Sequence, residues 1–489
     1  MNKLNQHSKF ALKFSIKLGA GVLAFSVFYL SAAQSPVMSD STALSFKNAI
    51  AMAQENDPWL TGNKHKQRAV ELMSTAVNTL PNPKVSIGLA NLPTNGFNFT
   101  QEGMTQAKVG IAQMFPRGDT LAIKSQQLKT QSEAFPYQRK DRESKVAVTV
   151  GSLWLDAYRI QQSIALIEKN RSLFEQLADV ATANYSSALG KIRQQDIVRA
   201  QVELTRLEDR LAQLVQQKSG FFGMLTQWLS QFYSENSADE PVLLASEFSL
   251  HKLVLSQELP EIGLINHTLV AKETWLEPRA LIPYFSNHPA VMALEKNIKA
   301  TKTGIKLAQQ KYQAEWGINA SYGYRANDPM GSSRADLFSV GVTFDLPIFT
   351  HNRQDKEVQS AVSATAAVKT DKILLLRQLL AAYSSAKGRL LRLKERQTLY
   401  KFKLLPQIHD QAAASLSAYT NDDGDFAEVV RSRIAVLNTE IDLLTLNVEE
   451  QKIGLELNYL FIGSLNTADT YNKSNLINNN QTVVYSGQK

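Results

Sequence analysis

Two periodicities divide the chain. Long stretches repeat apolar residues at spacings of three and four, the mark of an amphipathic helix, and short stretches alternate residue by residue, the mark of a half-buried strand. The first helical pattern opens at Leu44-Ser45-Phe46, with Ser45 as N-cap, and is interrupted by Asn56-Asp57-Pro58. It resumes to about Leu80. Lys84–Leu89 and Lys108–Ile111 then alternate. After Pro116 a helical pattern holds, with one early proline at Pro136, to about Asn184. Leu153, Ala157, Ile160, Ile164, Ile167, Arg171, Phe174 and Ala178 form a coiled-coil seam in it. A helix over most of this stretch would be on the order of 100 Å long. Leu204, Leu207, Leu211 and Leu214 continue the heptad habit to about Leu229.

The same order then recurs. Asn287-His288-Pro289 precedes a helix running to about Gln313. In the next segment Trp316, Ile318, Ala320, Tyr322 and Tyr324 share one face, and in the one after it so do Phe338, Val340, Val342, Phe344 and Leu346. No proline falls between Ile348 and Leu405, and Pro406 predicts a kink late in the rising helix. Leu437, Ile441, Leu444 and Val448 make the returning seam. Pro58 and Pro289 lie 231 positions apart, as do Pro116 and Pro347, and Val109-Gly110-Ile111 and Val340-Gly341-Val342. Several different landmarks in step argue for internal duplication rather than chance likeness. Two Tyr…Gly stretches read as helical hairpin tips. They are Tyr185 to Gly190, followed by Asp196-Ile197-Val198-Arg199, and Tyr419 to Gly424, followed by Glu428-Val429-Val430-Arg431. The expected organisation is residues 1–33 as a signal peptide and 34–229 as a first repeat of helix, two strands and long helical hairpin. An inter-repeat linker at 230–283, a second repeat at 284–463 and a flexible tail at 464–489 follow.

The net charge of +8 includes Lys3, Lys9, Lys13 and Lys17, which precede the apolar run Leu18–Leu30 and then Ser31-Ala32-Ala33. That is the layout of a cleaved export signal. The alternative, a membrane anchor, needs about 20 apolar residues. Removing residues 1–33 leaves +4, too little for a nucleic-acid footprint. The chain has no cysteine, so an exported form holds together by packing and assembly and carries no N-terminal lipid. His65, His251, His267, His288, His351 and His409 are scattered without metal-ligand spacing. No phosphate loop and no nucleophile elbow is present. No enzyme activity, cofactor or metal is therefore expected.

Outside the leader no stretch is apolar enough to span a bilayer as a helix, so a membrane crossing would be by β-barrel. Strands with one apolar, aromatic face and one small, polar face suit a barrel wall. A soluble sheet with one wet face alternates in the same way. Four strands cannot close a barrel, the smallest single-chain examples having about eight, so several copies would have to share one. At the tips, Asp422, Asp423, Asp425 and Glu428 crowd the second turn. They are either turn-forming residues or, with several copies round an axis, a carboxylate ring that attracts cations. Arg199 and Arg431 follow Asp196 and Glu428 by three, on the same helical face, where pairing with acids of a neighbouring hairpin would hold a mouth shut.

Taken together these stretches resemble the TolC-like outer-membrane factors of tripartite efflux and type I secretion. The likeness runs from about Ala43 to Gly463 and is carried by Leu44-Ser45-Phe46 with Asn56-Asp57-Pro58, by Gln113-Met114-Phe115-Pro116-Arg117-Gly118, by Asp345-Leu346-Pro347-Ile348-Phe349 with Asn352-Arg353, by Leu404-Leu405-Pro406-Gln407 and by the two tips. The Leu-Pro-Ile-Phe…Asn-Arg stretch looks most like the heavy-metal (cation efflux) branch. The resemblance implies a mainly α protein with a small β part. It would form a homotrimer with a shared twelve-stranded transmembrane β-barrel in the outer membrane of a Gram-negative bacterium and an α-helical barrel in the periplasm. A periplasmic adaptor (membrane fusion) protein and an inner-membrane pump of RND type would supply substrate and energy. Glu428 matches an acid of the family's narrow entrance. Arg431 falls where some members have a second acid, and Tyr185 and Tyr419 stand where relatives carry gate-contacting tyrosines. The rival reading is a secreted coiled-coil scaffold whose strands form a soluble cap.

Overall fold

The computed structural model describes residues 43–186, 194–230, 254–271, 275–421 and 424–464. The expected signal peptide, Gly190, Asp422, Asp423 and all of the tail but its first residue lie outside them. The chain is mostly helical with one small sheet. Helix α1 (Phe46–Glu55) starts at Ser45, whose hydroxyl accepts the Asn48 N–H at 3.2 Å. Helix α2 (Pro58–Ala76) starts at Asp57, whose carboxylate accepts the Trp59 N–H at 3.0 Å. Strands β1 (Lys84–Ala90) and β2 (Gln106–Phe115) follow. The long helical pattern after Pro116 is broken once, into α3 (Thr120–Ser132) and α4 (Phe135–Ser186). Pro136 lacks the N–H a continuing helix would need, so the chain restarts there with proline in the first turn, where that N–H is not missed. Helix α4 has 52 residues and is about 78 Å long, shorter than an unbroken helix would have been. Helix α5 (Gln194–Leu229) returns.

The second half runs α6 (His267–Ala271), α7 (Pro278–Ser286), α8 (Pro289–Gln309), β3 (Trp316–Tyr324), β4 (Leu337–Phe344), α9 (Gln354–Leu399), α10 (Leu405–Thr420) and α11 (Phe426–Leu460). A single π turn, Tyr400–Leu404, joins α9 to α10, and the Leu405 N–H reaches back to the Tyr400 carbonyl. It lies immediately before Pro406, so the proline's missing donor is accommodated by a widened turn. No helix among the described residues is long and apolar enough to cross a membrane.

Three apolar clusters hold the helices. The first surrounds Trp154, which is 0% exposed, stacks on Tyr158 at 5.5 Å and donates its indole N–H to the Leu44 carbonyl at 3.1 Å. Leu255 and Gln257, in the stretch expected to be a linker, dock here. Leu44 and Leu255 form a parallel bridge, and the Gln161 amide meets the backbone of Leu255 at 3.2 and 3.3 Å. The second cluster joins α7 and α9 to α11. Beside it the fully buried Lys387 donates to the Leu269 carbonyl in α6 at 3.1 Å and lies 5.1 Å from the Trp275 ring. The third cluster packs the two hairpins together near their tips through Ile167, Phe174, Leu207, Phe426, Val429, Val430, Leu437 and Ile441. Of the seam residues, Ala157, Ile160, Ile167 and Phe174 are buried. Arg171 lies half exposed among Glu168, Glu175 and, across on α5, Glu208.

Candidate functional site

The sheet is antiparallel throughout, in the order β1-β2-β3-β4, so β1 and β4 are its edges. Its register places the apolar positions of all four strands in common rows. Ile87, Val109, Tyr322 and Phe338 stand opposite one another, and so do Val85, Ile111, Ala320 and Val340. A one-residue slip in any strand would send its apolar set to the other face, so this alignment is specified by the sequence pattern. The face is bare. Ile87 is 82% exposed and Phe338 72%. Towards the end where the helices attach, Phe115, Trp316 and Phe344 form an aromatic row, with the Trp316 and Phe344 rings 5.0 Å apart. Towards the other end come Tyr322, Phe338 and Tyr324. Between them lie aliphatic residues, over about 20 Å of strand from Trp316 to Tyr322. The opposite face is small and polar, as in the row Ser86, Gly110, Ser321 and Ser339.

Arginines tie the sheet to its surroundings at both ends. Arg117 bridges to Asp345 and donates to the Gln313 carbonyl at 3.0 Å, knitting together three strand-to-helix junctions. The Glu315 N–H and the Arg117 guanidinium hold the Asp345 carboxyl below its ordinary range. At the other end Arg325 donates to the carbonyls of Ala335 and Gly103, and Arg334 to those of Thr100 and Glu102. The two loops joining the strands are thereby laced to each other.

Asp425 is the N-cap of α11, its carboxylate accepting the Ala427 N–H at 3.1 Å, and Glu428 sits in the first helical turn, where the helix dipole favours an anion. Arg431 pairs with Glu428 of its own helix, one turn away. The Tyr419 ring lies 5.6 Å from that of Phe426, which is 2% exposed. Gly424 closes the turn against the backbone. A Cβ there would come within 2.5 Å of the Tyr419 nitrogen, so no larger residue fits. At the first tip, Tyr185 belongs to the last turn of α4 and Asp196 to the first turn of α5, their side chains outside the described residues. Arg199 is exposed on α5. The matched acids hold the same place: Asp196 is the third residue of α5 and Glu428 the third of α11. Phe426, which anchors the tip by packing under Tyr419, carried no sequence signal beyond being one more apolar residue. Among the described residues no three potential metal ligands gather.

No family model and no curated protein matches the chain. Solved structures do. The chain is similar to CusC, whose structures are described in terms of transmembrane channel formation, at 14% identity and a TM-score of 0.65, over 85% of this chain and 91% of that one. It is similar to the outer-membrane channel CmeC of Campylobacter jejuni at 10% identity and 0.64, over 86% and 85%. It is also similar to the open state of the outer-membrane channel MtrE of Neisseria gonorrhoeae at 12% identity and 0.62, over 86% and 88%. The chain thus has the fold of these outer-membrane channels. The likeness is spread evenly over several of them and does not single out the heavy-metal branch.

Proposed function

We propose that the protein is the exit duct of a tripartite efflux system, a passive outer-membrane channel without catalysis. Three copies complete one pipe. Each contributes four strands to a twelve-stranded barrel and two helical hairpins to a periplasmic tunnel, which docks a periplasmic adaptor and an inner-membrane RND-type pump. The two halves of the chain are read as copies of one ancestral unit, since helix pair, strand pair and hairpin follow in the same order in each.

The observation that carries this reading is the exposed, aligned apolar face of a four-stranded sheet with two open edges. In water such a surface would be a liability. Against lipid, with aromatic rows near both ends and small polar residues behind, it is the wall of a barrel. The shared fold supports it, and the open state of one structural neighbour supports a mouth that opens. The tips are the natural mouth, and Tyr185, Asp196, Arg199, Tyr419, Asp422, Asp423, Asp425, Glu428 and Arg431 are the residues we assign to it. Extraction of outer membranes with detergent tests the reading. A heat-resistant trimer is expected, whereas a soluble oligomer indifferent to detergent would indicate a coiled-coil scaffold, and a stable monomer in lipid would end the proposal.

A further inference from the structure

We infer that the barrel section of this duct favours anionic solutes, through Lys84 and Lys108, an inference that rests on the trimeric duct reading. The four strands together contain two formally charged residues, both lysines, and no carboxylate. Both lysines fall on the small-residue face, alternate with the apolar positions Val85, Ile87 and Val109, and are exposed. Chance placement on the apolar face would have cost about 2–4 kcal/mol each at the middle of a bilayer. Lys84, on edge strand β1, has a structural use, since a charge on an edge discourages stray strand pairing. Lys108 has none of that kind, because β2 is paired on both sides. Its cross-strand neighbours are Gly88 and Gly323, so its ammonium stands above residues with no side chain to pack or pair with it. Among the described residues neither lysine makes an ion pair. Of the acids at the sheet ends, Asp345 is engaged by Arg117 and Asp336 by the Tyr322 hydroxyl and the Arg325 N–H, Glu315 lies 3.8 Å from Arg117, and Glu102 is exposed in the loop before β2.

Three copies turn these residues into two rings of three ammonium groups. Lys108 lies opposite Gly88, four residues beyond Lys84, which separates the rings by about 13 Å along the strands. The Debye length is about 10 Å at 0.1 M salt, so the two fields merge into one positive zone at moderate ionic strength. Rings of cationic side chains draw anions and repel cations. The solutes favoured would carry carboxylate, phosphate or sulfonate groups, and chloride serves as the probe. This zone lies in series with the acidic tip and is opposite to it in sign.

The test is reversal-potential recording of the full-length protein in planar bilayers across a potassium chloride gradient, at about 0.1 M and about 1 M. The Lys84→Gln/Lys108→Gln double variant is expected to lower the chloride-to-potassium permeability ratio by about twofold or more at the lower salt. The double Lys→Arg variant is expected to leave the ratio unchanged, and the difference should shrink at 1 M, where the Debye length is about 3 Å. A Gln variant that conducts with the parental reversal potential at low salt overturns the inference and leaves the duct standing. A parental protein that never conducts overturns both.

Discussion

His288 and Asp57 occupy equivalent positions, each capping a helix whose first residue is proline, yet with different chemistry. Asp57 accepts the Trp59 N–H and is held by Arg142 of α4 at 2.7 Å. His288 is fully buried. Its Nδ1 accepts the Ala290 N–H at 3.3 Å and its Nε2 donates to the Tyr459 carbonyl at 3.2 Å. The Tyr459 hydroxyl in turn donates to Asp141, which pairs with Lys145. This geometry requires a neutral imidazole, because a protonated Nδ1 can no longer accept. Burial pushes the His288 pKa down, opposed by the charge of Asp141 and reinforced by that of Lys145. The unfolded chain therefore takes up a proton before the folded one, and stability falls as pH drops below the ordinary histidine range near 6.5. Melting temperatures at pH 7.5 and pH 5 should show this loss. His288→Asn, which keeps an acceptor for Ala290 without a titrating ring, should show less of it. Equal acid sensitivity in both proteins would remove His288 as the cause. Nothing in the sequence distinguishes this histidine from the five other mature ones except the proline after it.

At the level of elements, period and punctuation were highly legible. The strands and the Asn-x-Pro breaks follow from spacing alone, because each is a local preference that packing reinforces, whereas the spacing ran one helical pattern through Pro136 where the structure has two helices. What spacing could not show depends on distant partners. The bridge between Leu44 and Leu255 and the linker's hold on Gln161 join segments far apart in sequence. The π turn is a particular solution to a kink that the sequence only announced. The Arg171 position reads as one more seam residue but is an ionic crossing between α4 and α5. At the second tip the sequence put Arg431 on the same helical face as Glu428, and the structure pairs the two, with Asp425 capping the helix. That pairing makes the arginine a local counter-charge for Glu428, so removing it exposes the carboxylate. Replacing Arg199 and Arg431 together by alanine should raise leak conductance by loosening the closed mouth, and Glu428→Gln should lower cation preference. Unchanged conductance in the first and unchanged reversal potentials in the second would reduce both to ordinary turn chemistry.

For the whole molecule, the proposed duct makes a demand on assembly. Four strands with open edges at β1 and β4, placed in lipid, would leave ladder donors and acceptors unsatisfied unless neighbouring copies met edge to edge. The absence of native cysteine makes the test clean. Chains with one cysteine on β1 and one on β4, on the small-residue face, should oxidise to a covalent ladder ending at three. A ladder continuing beyond three, or no cross-link at all, would contradict a closed trimer.

The bare ribbon formed by Ile87, Val109, Tyr322 and Phe338 also constrains the time before assembly. On the proposed reading, a newly made chain crossing an aqueous compartment alone would carry a greasy, open-ended patch ready to stick to any extended backbone it meets. It would need shielding by a chaperone or a quick meeting with its siblings, so the rate of maturation should depend on how many copies are being made at once.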